Sequence, residues 1–272
     1  MIPFGPDRTF GVEIEVYDVF FGTLIPPYGK TVPNHLNQLS KPLQAAGIDL
    51  GTQPDQWRFV QEDSIKGGGG IEVVSPALMG PDGLDQIATV CAVLKAGGAK
   101  VNGSCGLHVH HDASDFTCTE LCRLVQLIHR WEDAIYYCLP HHRQENETCR
   151  PMEIDIAELV VLCDDPCHTN CRIKDTWYSE KNGYDGKGFK YCKTRYHGLN
   201  LHAFWTLGTI EFRYPPSTLV AEKIQGWVGF TQALVERAHY SDNPHPLAEL
   251  HWEFEHLMGW LPLTDNEDSQ NG

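Results

Sequence analysis

Three short stretches of the chain each carry two functional side chains separated by one residue: Glu13 and Glu15 in FGVEIEV, His108 and His110 in GLHVHH, and Glu211 and Arg213 in GTIEFR. In an extended chain, residues i and i+2 point to the same side, so each stretch would present its pair on one face of a strand. Two carboxylates side by side repel each other and are costly when half buried, so Glu13 and Glu15 call for water or a cation between them. A hard divalent ion such as Mg²⁺ is the natural partner for such oxygens. The neighbours Val12, Ile14, Val16, Val109, Ile210 and Phe212 are apolar, which gives each strand one buried face and one polar face. A sheet lined with acids and imidazoles is the expectation. Asp63 and Glu72 flank a glycine-rich connection, and a hairpin there would bring both toward one end of that sheet. The glycines would either let a ligand approach the backbone or make a flexible turn.

The elements that must carry these residues can be read from periodicity. Alternation from Phe10 to Tyr17 predicts a first strand. Between Pro33 and Gly47, the spacing of Leu36, Leu39 and Leu43 predicts a helix that Gly47 ends. Trp57 to Gln61 and Ile71 to Ser75 read as the two strands of a hairpin joined through Gly67 to Gly70. Gly83 to Leu94 predicts a helix with Leu84, Ile87, Val90, Cys91 and Leu94 on one face, stopped by Gly97 and Gly98, and GLHVHHD follows as a strand. Thr119 to Leu139 is a long amphipathic helix ended by Pro140. His141 to Tyr191 reads as a Cys- and Gly-rich insertion with one helix around Met152 to Leu162. HGLNLHAF and LGTIEFRYP return to strand alternation, and TLVAEKIQGWVGFTQALVERA is a helix. A further helix is expected from about Pro246 to Met258, and the polar tail 264–272 is expected to be disordered.

The fold class that follows is α+β: a curved, mainly antiparallel sheet with helices on one face and the acids and imidazoles on the other. One domain over residues 1–263 is expected.

Composition narrows the function. With 272 residues, 42% hydrophobic and 21% charged, the chain has the make-up of a globular protein and not of a disordered one. No apolar run reaches the length of a membrane span, and the opening MIPFGPDRTFGVEIE has neither a basic n-region nor an apolar h-region, so a soluble cytoplasmic protein is expected. The formal charge of −15, without any run of Lys and Arg, argues against nucleic acid as a partner. An acidic protein can still handle a nucleotide if divalent cations and a few placed arginines invert the local field. The ten cysteines suggest reduced thiols or metal ligands.

FGVEIE, EDSIKGGGGIEVVSP, CGLHVH and RYHGLNLHAFWTLGTIEFR occur in an order that resembles the amidoligase family. That family is a branch of the carboxylate-amine ligases that includes glutamate-cysteine ligase and, more distantly, glutamine synthetase. The resemblance covers roughly residues 9–235. It implies a catalytic domain of the glutamine synthetase and glutamate-cysteine ligase kind, with metal held by Glu13, Glu15, Asp63, Glu72, His108 and Glu211. It also implies nucleotide contacts at His110 and Arg213, with Arg143, Arg195 and Asn200 near nucleotide or substrate. The activity implied is ATP- and Mg²⁺-dependent: ATP converts a carboxylate to an acyl phosphate, which an amine attacks, with Arg213 and Arg195 stabilising the transferring phosphoryl group. The partners are then ATP and small-molecule or peptide substrates carrying a carboxylate and an amine.

Two other readings compete. Paired imidazoles are common zinc ligands, and hydrolases of the amidohydrolase type use an HxH strand, but theirs is the first strand of a barrel, whereas here two or three predicted strands precede it. A non-catalytic, metal-stabilised binding module would make the acids dispensable. A structural Zn²⁺ at Cys163, Cys167, His168 and Cys171, with Cys149 or Cys192 in addition, is a further possibility, although the spacing is CxxxC. Trp131 and Trp227 are expected in the core, and Trp57 and Trp205 are candidates for lining a pocket.

Overall fold

The alternation of the first motif produces β1, Phe10–Val16. Phe10, Val12, Ile14 and Val16 are at most 2% exposed on one face, and Gly11, Glu13 and Glu15 occupy the other. Each such apolar side chain stabilises the fold by about 1.5–3 kcal/mol on burial. The computed structural model describes residues 7–19, 39–68, 70–154, 172–178 and 192–240. The fold is α+β, and its sheet is open. The chain divides into two compact units, each discontinuous in sequence.

The first unit comprises Pro6–His110 and Pro215–Val228. It holds β1, helix α1 (Ser40–Ala45), strands β2 (Arg58–Gln61) and β3 (Ile71–Val74), helix α2 (Gly80–Ala96) and most of β4 (Leu107–Asp112). The expected hairpin forms: β2 and β3 are antiparallel, with Val60 opposite Glu72 and Arg58 opposite Val74. β3 is also antiparallel to β1, with Glu15 opposite Glu72 and Glu13 opposite Val74. α2 buries Ile87, Val90, Cys91 and Leu94 as its spacing predicts, with Leu84 half-buried, and it ends at Gly97 and Gly98. Trp57 is packed inside with its indole N–H donated to Gln86 Oε1 at 3.0 Å, so it serves the core.

The second unit comprises His111–Tyr214 and Gly229–Gly272 together with Met1–Gly5. It holds α3 (Cys118–Tyr137), α4 (His141–Gln144), α5 (Arg172–Trp177), a 3₁₀ turn (Lys193–Arg195), β5 (Leu199–Asn200), α6 (His202–Leu207) and β6 (Thr209–Phe212). β5 and β6 are antiparallel, with Asn200 opposite Glu211. Residues of α7, Ala221–Tyr240, fall in both units. α3 begins with a capping box in which the Thr117 hydroxyl accepts from Glu120 N and the Glu120 carboxylate accepts from Thr117 N. Trp131 is half-buried on α3, not enclosed, with Arg130 over its ring at 5.8 Å, whereas Trp227 is buried as expected.

One expected strand is corrected. HGLNLHAF alternates on paper, yet only Leu199–Asn200 is extended, and His202–Leu207 is helical. The Asn200 side-chain oxygen accepts from His202 N at 2.9 Å, an Asx-type turn that redirects the chain into a helix. Gly208, at φ 75°, then releases it into β6. Of the helix expected around 152–162, Met152 to Ile154 are described and are not helical, and residues 155–162 lie outside the described residues, as do the helix expected at 246–258, the tail, the cysteines at 163, 167 and 171 with His168, and the start of the helix predicted from Pro33. Among the described residues no helix is long and apolar enough to cross a membrane.

Thr117→Ala removes half of the capping box and is expected to destabilise the protein by about 1 kcal/mol. The midpoint of urea unfolding measures it.

Candidate functional site

In the first unit the sheet register turns the sequence pairs into a cluster. Directly opposed residues of an antiparallel pair share a face, so Glu15 and Glu72 confront each other across β1 and β3. His108, from β4, joins them: Glu15, Glu72 and His108 each offer a ligand atom within 4.8 Å of the others. Glu15 is 7% exposed and His108 2%, whereas Glu72 is half-buried, so Glu15 is largely cut off from the bulk water that would screen the pair. One oxygen of Glu15, Oε2, accepts from Gly106 N at 2.6 Å, and the other lies 3.7 Å from His108 Nε2. Glu13 Oε2 is 2.8 Å from His108 Nδ1, and Glu13 Oε1 is 3.6 Å from His110 Nε2. Among the described residues this is a set of carboxylate oxygens and imidazole nitrogens whose donor types suit a divalent ion.

Asp63 is placed differently. It is exposed in the turn after β2 and accepts from the Gln61 amide at 3.1 Å. The glycine connection is packed at Gly67 and Gly70 and open at Gly68. Gly67, at φ 115°, lies so near Tyr17 that a Cβ there would come within 2.6 Å of the ring. Lys66 N donates to Ser104 Oγ at 2.9 Å, and Asn102 Nδ2 donates to Lys66 O at 2.6 Å. Gly67 therefore serves a close approach of loop to side chain.

In the second unit Glu211 and Arg213, both nearly buried, form an ion pair with Arg213 Nη1 2.6 Å from Glu211 Oε1. Asn200, opposite Glu211 in register, donates its amide to Glu211 Oε2 at 2.6 Å. Arg213 Nε donates to Thr148 O at 3.3 Å. Arg143, from the single turn of α4 after Pro140, is 2% exposed and donates to the main-chain carbonyls of Arg213 and, at 3.3 Å, Tyr214. The Arg143 guanidinium thus holds the backbone that carries Arg213. Arg195 is half-buried in the 3₁₀ turn with its guanidinium 5.7 Å from the Tyr196 ring centre. Trp205 is half-buried among Trp177, Tyr178 and Phe204.

A second buried set was not anticipated. Glu132 on α3 accepts from Tyr214 Oη at 2.8 Å and from Met152 N at 3.0 Å. Burial pushes its carboxyl up to about 7 even though both hydrogen bonds favour the anion. Tyr136, whose ring meets Tyr214 edge-on, donates to Cys149 O at 2.8 Å, and burial raises both phenols and the Cys149 thiol. Glu132 had a signal: it falls on the buried stripe of α3 between Ile128 and Ile135. Thr148 had none, because it acts through its carbonyl. Also in this unit, Tyr178 Oη is hydrogen-bonded to His202 Nδ1. Cys149 and Cys192 are buried thiols, and Cys192 Sγ lies 3.1 Å from Thr194 Oγ1.

The first unit thus carries acids and imidazoles on its strands, and the second carries a buried Glu–Arg pair. The family described as "Putative amidoligase enzyme" matches residues 6–235, and the chain belongs to that family. None of the curated proteins matches the chain in sequence.

Arg143→Met removes a buried donor from the main-chain carbonyls of Arg213 and Tyr214 and is expected to cost about 1–3 kcal/mol, read from the urea midpoint. Glu132 yields a pH signature. Below about 4.5 both folded and unfolded chains hold its proton, and as the pH rises toward about 7 only the folded chain keeps it, so its contribution to stability is lost across that interval. Glu132→Gln is expected to flatten the fall in stability between those limits, measured by urea unfolding at several pH values.

Proposed function

We propose that the chain is an ATP- and Mg²⁺-dependent ligase, acting in the cytoplasm, that joins the carboxylate of an amino acid or peptide to an amine. The observation that carries this reading is the group Glu15, Glu72 and His108, brought together by strand register in a member of the amidoligase family. Glu15, Glu72 and His108 would hold the ion, with Glu13, Asp63 and Glu211 added by the resemblance. When bound, the ion neutralises phosphate charge and aligns the phosphoryl group with the attacking oxygen.

The reaction needs no side-chain nucleophile. The substrate carboxylate oxygen attacks the γ-phosphorus of ATP, ADP leaves, and the amine then attacks the acyl carbon and expels phosphate. Arg213 would stabilise negative charge on the transferring phosphoryl group, and its ion pair with Glu211 and its bond to Thr148 O hold the guanidinium in one orientation. Asn200 steadies Glu211 from the facing strand. His110 and Arg195 would contact nucleotide, as the resemblance has it. For Arg143, the two bonds to carbonyls support a hold on the Arg213 main chain rather than direct contact with a phosphate.

The test is titration calorimetry of a nonhydrolysable ATP analogue with and without Mg²⁺, on wild type and on folded Glu211→Ala. Mg²⁺-dependent binding that disappears in the variant is expected. Absence of nucleotide binding by folded wild type in Mg²⁺ would overturn the ligase and favour a metal-dependent hydrolase.

A further inference from the structure

Glu132 is buried in the same unit as Arg213, yet the reaction proposed above makes no use of it. Burying a carboxyl is costly, and an apolar side chain would fill the same space at less cost. What a carboxylate adds is a pair of acceptors, and here they reach two different segments of the chain. One oxygen accepts from the Tyr214 phenol at 2.8 Å, the other from Met152 N at 3.0 Å. Tyr214 is the residue after Arg213. Met152 belongs to the segment that begins with Thr148, whose carbonyl accepts from Arg213 Nε at 3.3 Å. That segment is fastened at further points. Tyr136, one helical turn beyond Glu132, donates to Cys149 O at 2.8 Å. Arg150 O accepts from Gly198 N at 2.9 Å, and Gly198 O accepts from Arg213 N at 2.7 Å. Helix α3 thus holds both the chain that bears Arg213 and the carbonyl that points its guanidinium.

We propose that Glu132 is a positioning residue for Arg213: by accepting from Tyr214 and Met152 at once, it fixes the chain leaving β6 against the Thr148 carbonyl that orients the guanidinium. The inference rests on the phosphoryl-binding role given to Arg213 under the proposed function. A guanidinium that meets a transferring phosphoryl group is effective only when it is oriented in advance. Arg143 holds main-chain carbonyls of residues 213 and 214, whereas the tie through Glu132 bears on the direction of the Arg213 side chain. Glutamine at 132 is the discriminating substitution. Its carbonyl can accept from Met152 N while its amide donates to Tyr214 Oη, because a phenol oxygen accepts as well as donates. Leucine can do neither.

The experiment compares the full chain as wild type, Glu132→Gln, Glu132→Leu and Tyr214→Phe. Ile128→Ala, an apolar change in the buried stripe of the same helix, controls for lost stability. After circular dichroism has verified folding, two quantities are read. One is exchange of the Arg213 Nε–H with water, followed by ¹⁵N NMR and assigned by its loss in Arg213→Lys; the other is calorimetric affinity for a nonhydrolysable ATP analogue in Mg²⁺. Glu132→Leu is expected to speed the exchange and weaken the affinity by about tenfold each. Glu132→Gln is expected to stay within about threefold of wild type in both, and Ile128→Ala to match wild type in both despite a lower urea midpoint. If Glu132→Leu does not fold, Tyr214→Phe decides, since it keeps the ring and removes one of the two ties; faster exchange than in wild type is expected. Wild-type exchange in folded Glu132→Leu, or in Tyr214→Phe where that variant decides, would overturn the proposal. So would a loss in Glu132→Gln as large as in Glu132→Leu, or equal losses in Ile128→Ala and Glu132→Leu. Wild type that binds no nucleotide would overturn the ligase reading, and the exchange of the Arg213 Nε–H would then decide the positioning role by itself.

Discussion

Glu15 and Glu72 stand opposite each other across β1 and β3, and like charges so placed repel. Much of the first unit can be understood as the set of contacts that makes this tolerable. The Gly106 N–H donates to one oxygen of Glu15, and His108 stands between Glu15 and Glu13. Behind them the other face of β1 contributes Phe10, Val12, Ile14 and Val16 to the core, which fixes the register and hence the confrontation. A slip of one residue would send the acids into that core and the apolar side chains out. The hydrophobic pattern therefore enforces an electrostatic arrangement that the acids alone would avoid.

The second unit solves a related problem by pairing. Glu211 and Arg213 are both nearly buried, and each has neutral support: Asn200 for the carboxylate, the Thr148 carbonyl for the guanidinium. A buried ion pair needs such additional bonds, since desolvation otherwise outweighs the attraction. Arg143 adds a second cation whose described hydrogen bonds go to carbonyls of residues 213 and 214. The backbone leaving β6 is in this way held by a side chain about seventy positions earlier in sequence. Rigid placement of one guanidinium is what a group meeting a transferring phosphoryl would require.

The strands and helices with clean periodicity were legible: β1, the β2–β3 hairpin, α2, α3 and α7 all appear where alternation or helical spacing put them. The i, i+2 pairs were legible for the same reason, because a strand fixes which side chains share a face. What periodicity could not show was the partner of each pair. That Glu72 meets Glu15, while Asp63 turns to Gln61, depends on hairpin register and on the conformation of the turn. HGLNLHAF misled because Asn200 uses its side chain to start a turn, a local bond that overrides alternation. Arg143 was singled out by the resemblance alone, and its bonds to the main chain could not be read from the sequence, since main-chain acceptors leave no mark there.

The glycine connection before β3 carries one more consequence. Gly67 lies against the Tyr17 ring, and Tyr17 exchanges backbone hydrogen bonds with Lys100 just beyond the end of β1. A side chain at 67 would have to push Tyr17 aside, and Tyr17 is two residues from Glu15. A residue with no chemistry of its own thereby becomes a constraint on how the lineage can diversify. The loop can change charge at its exposed positions, whereas a side chain at 67 would both meet the Tyr17 ring and be held at φ 115°, so a variant there would be felt first in the folding of the loop beside β1.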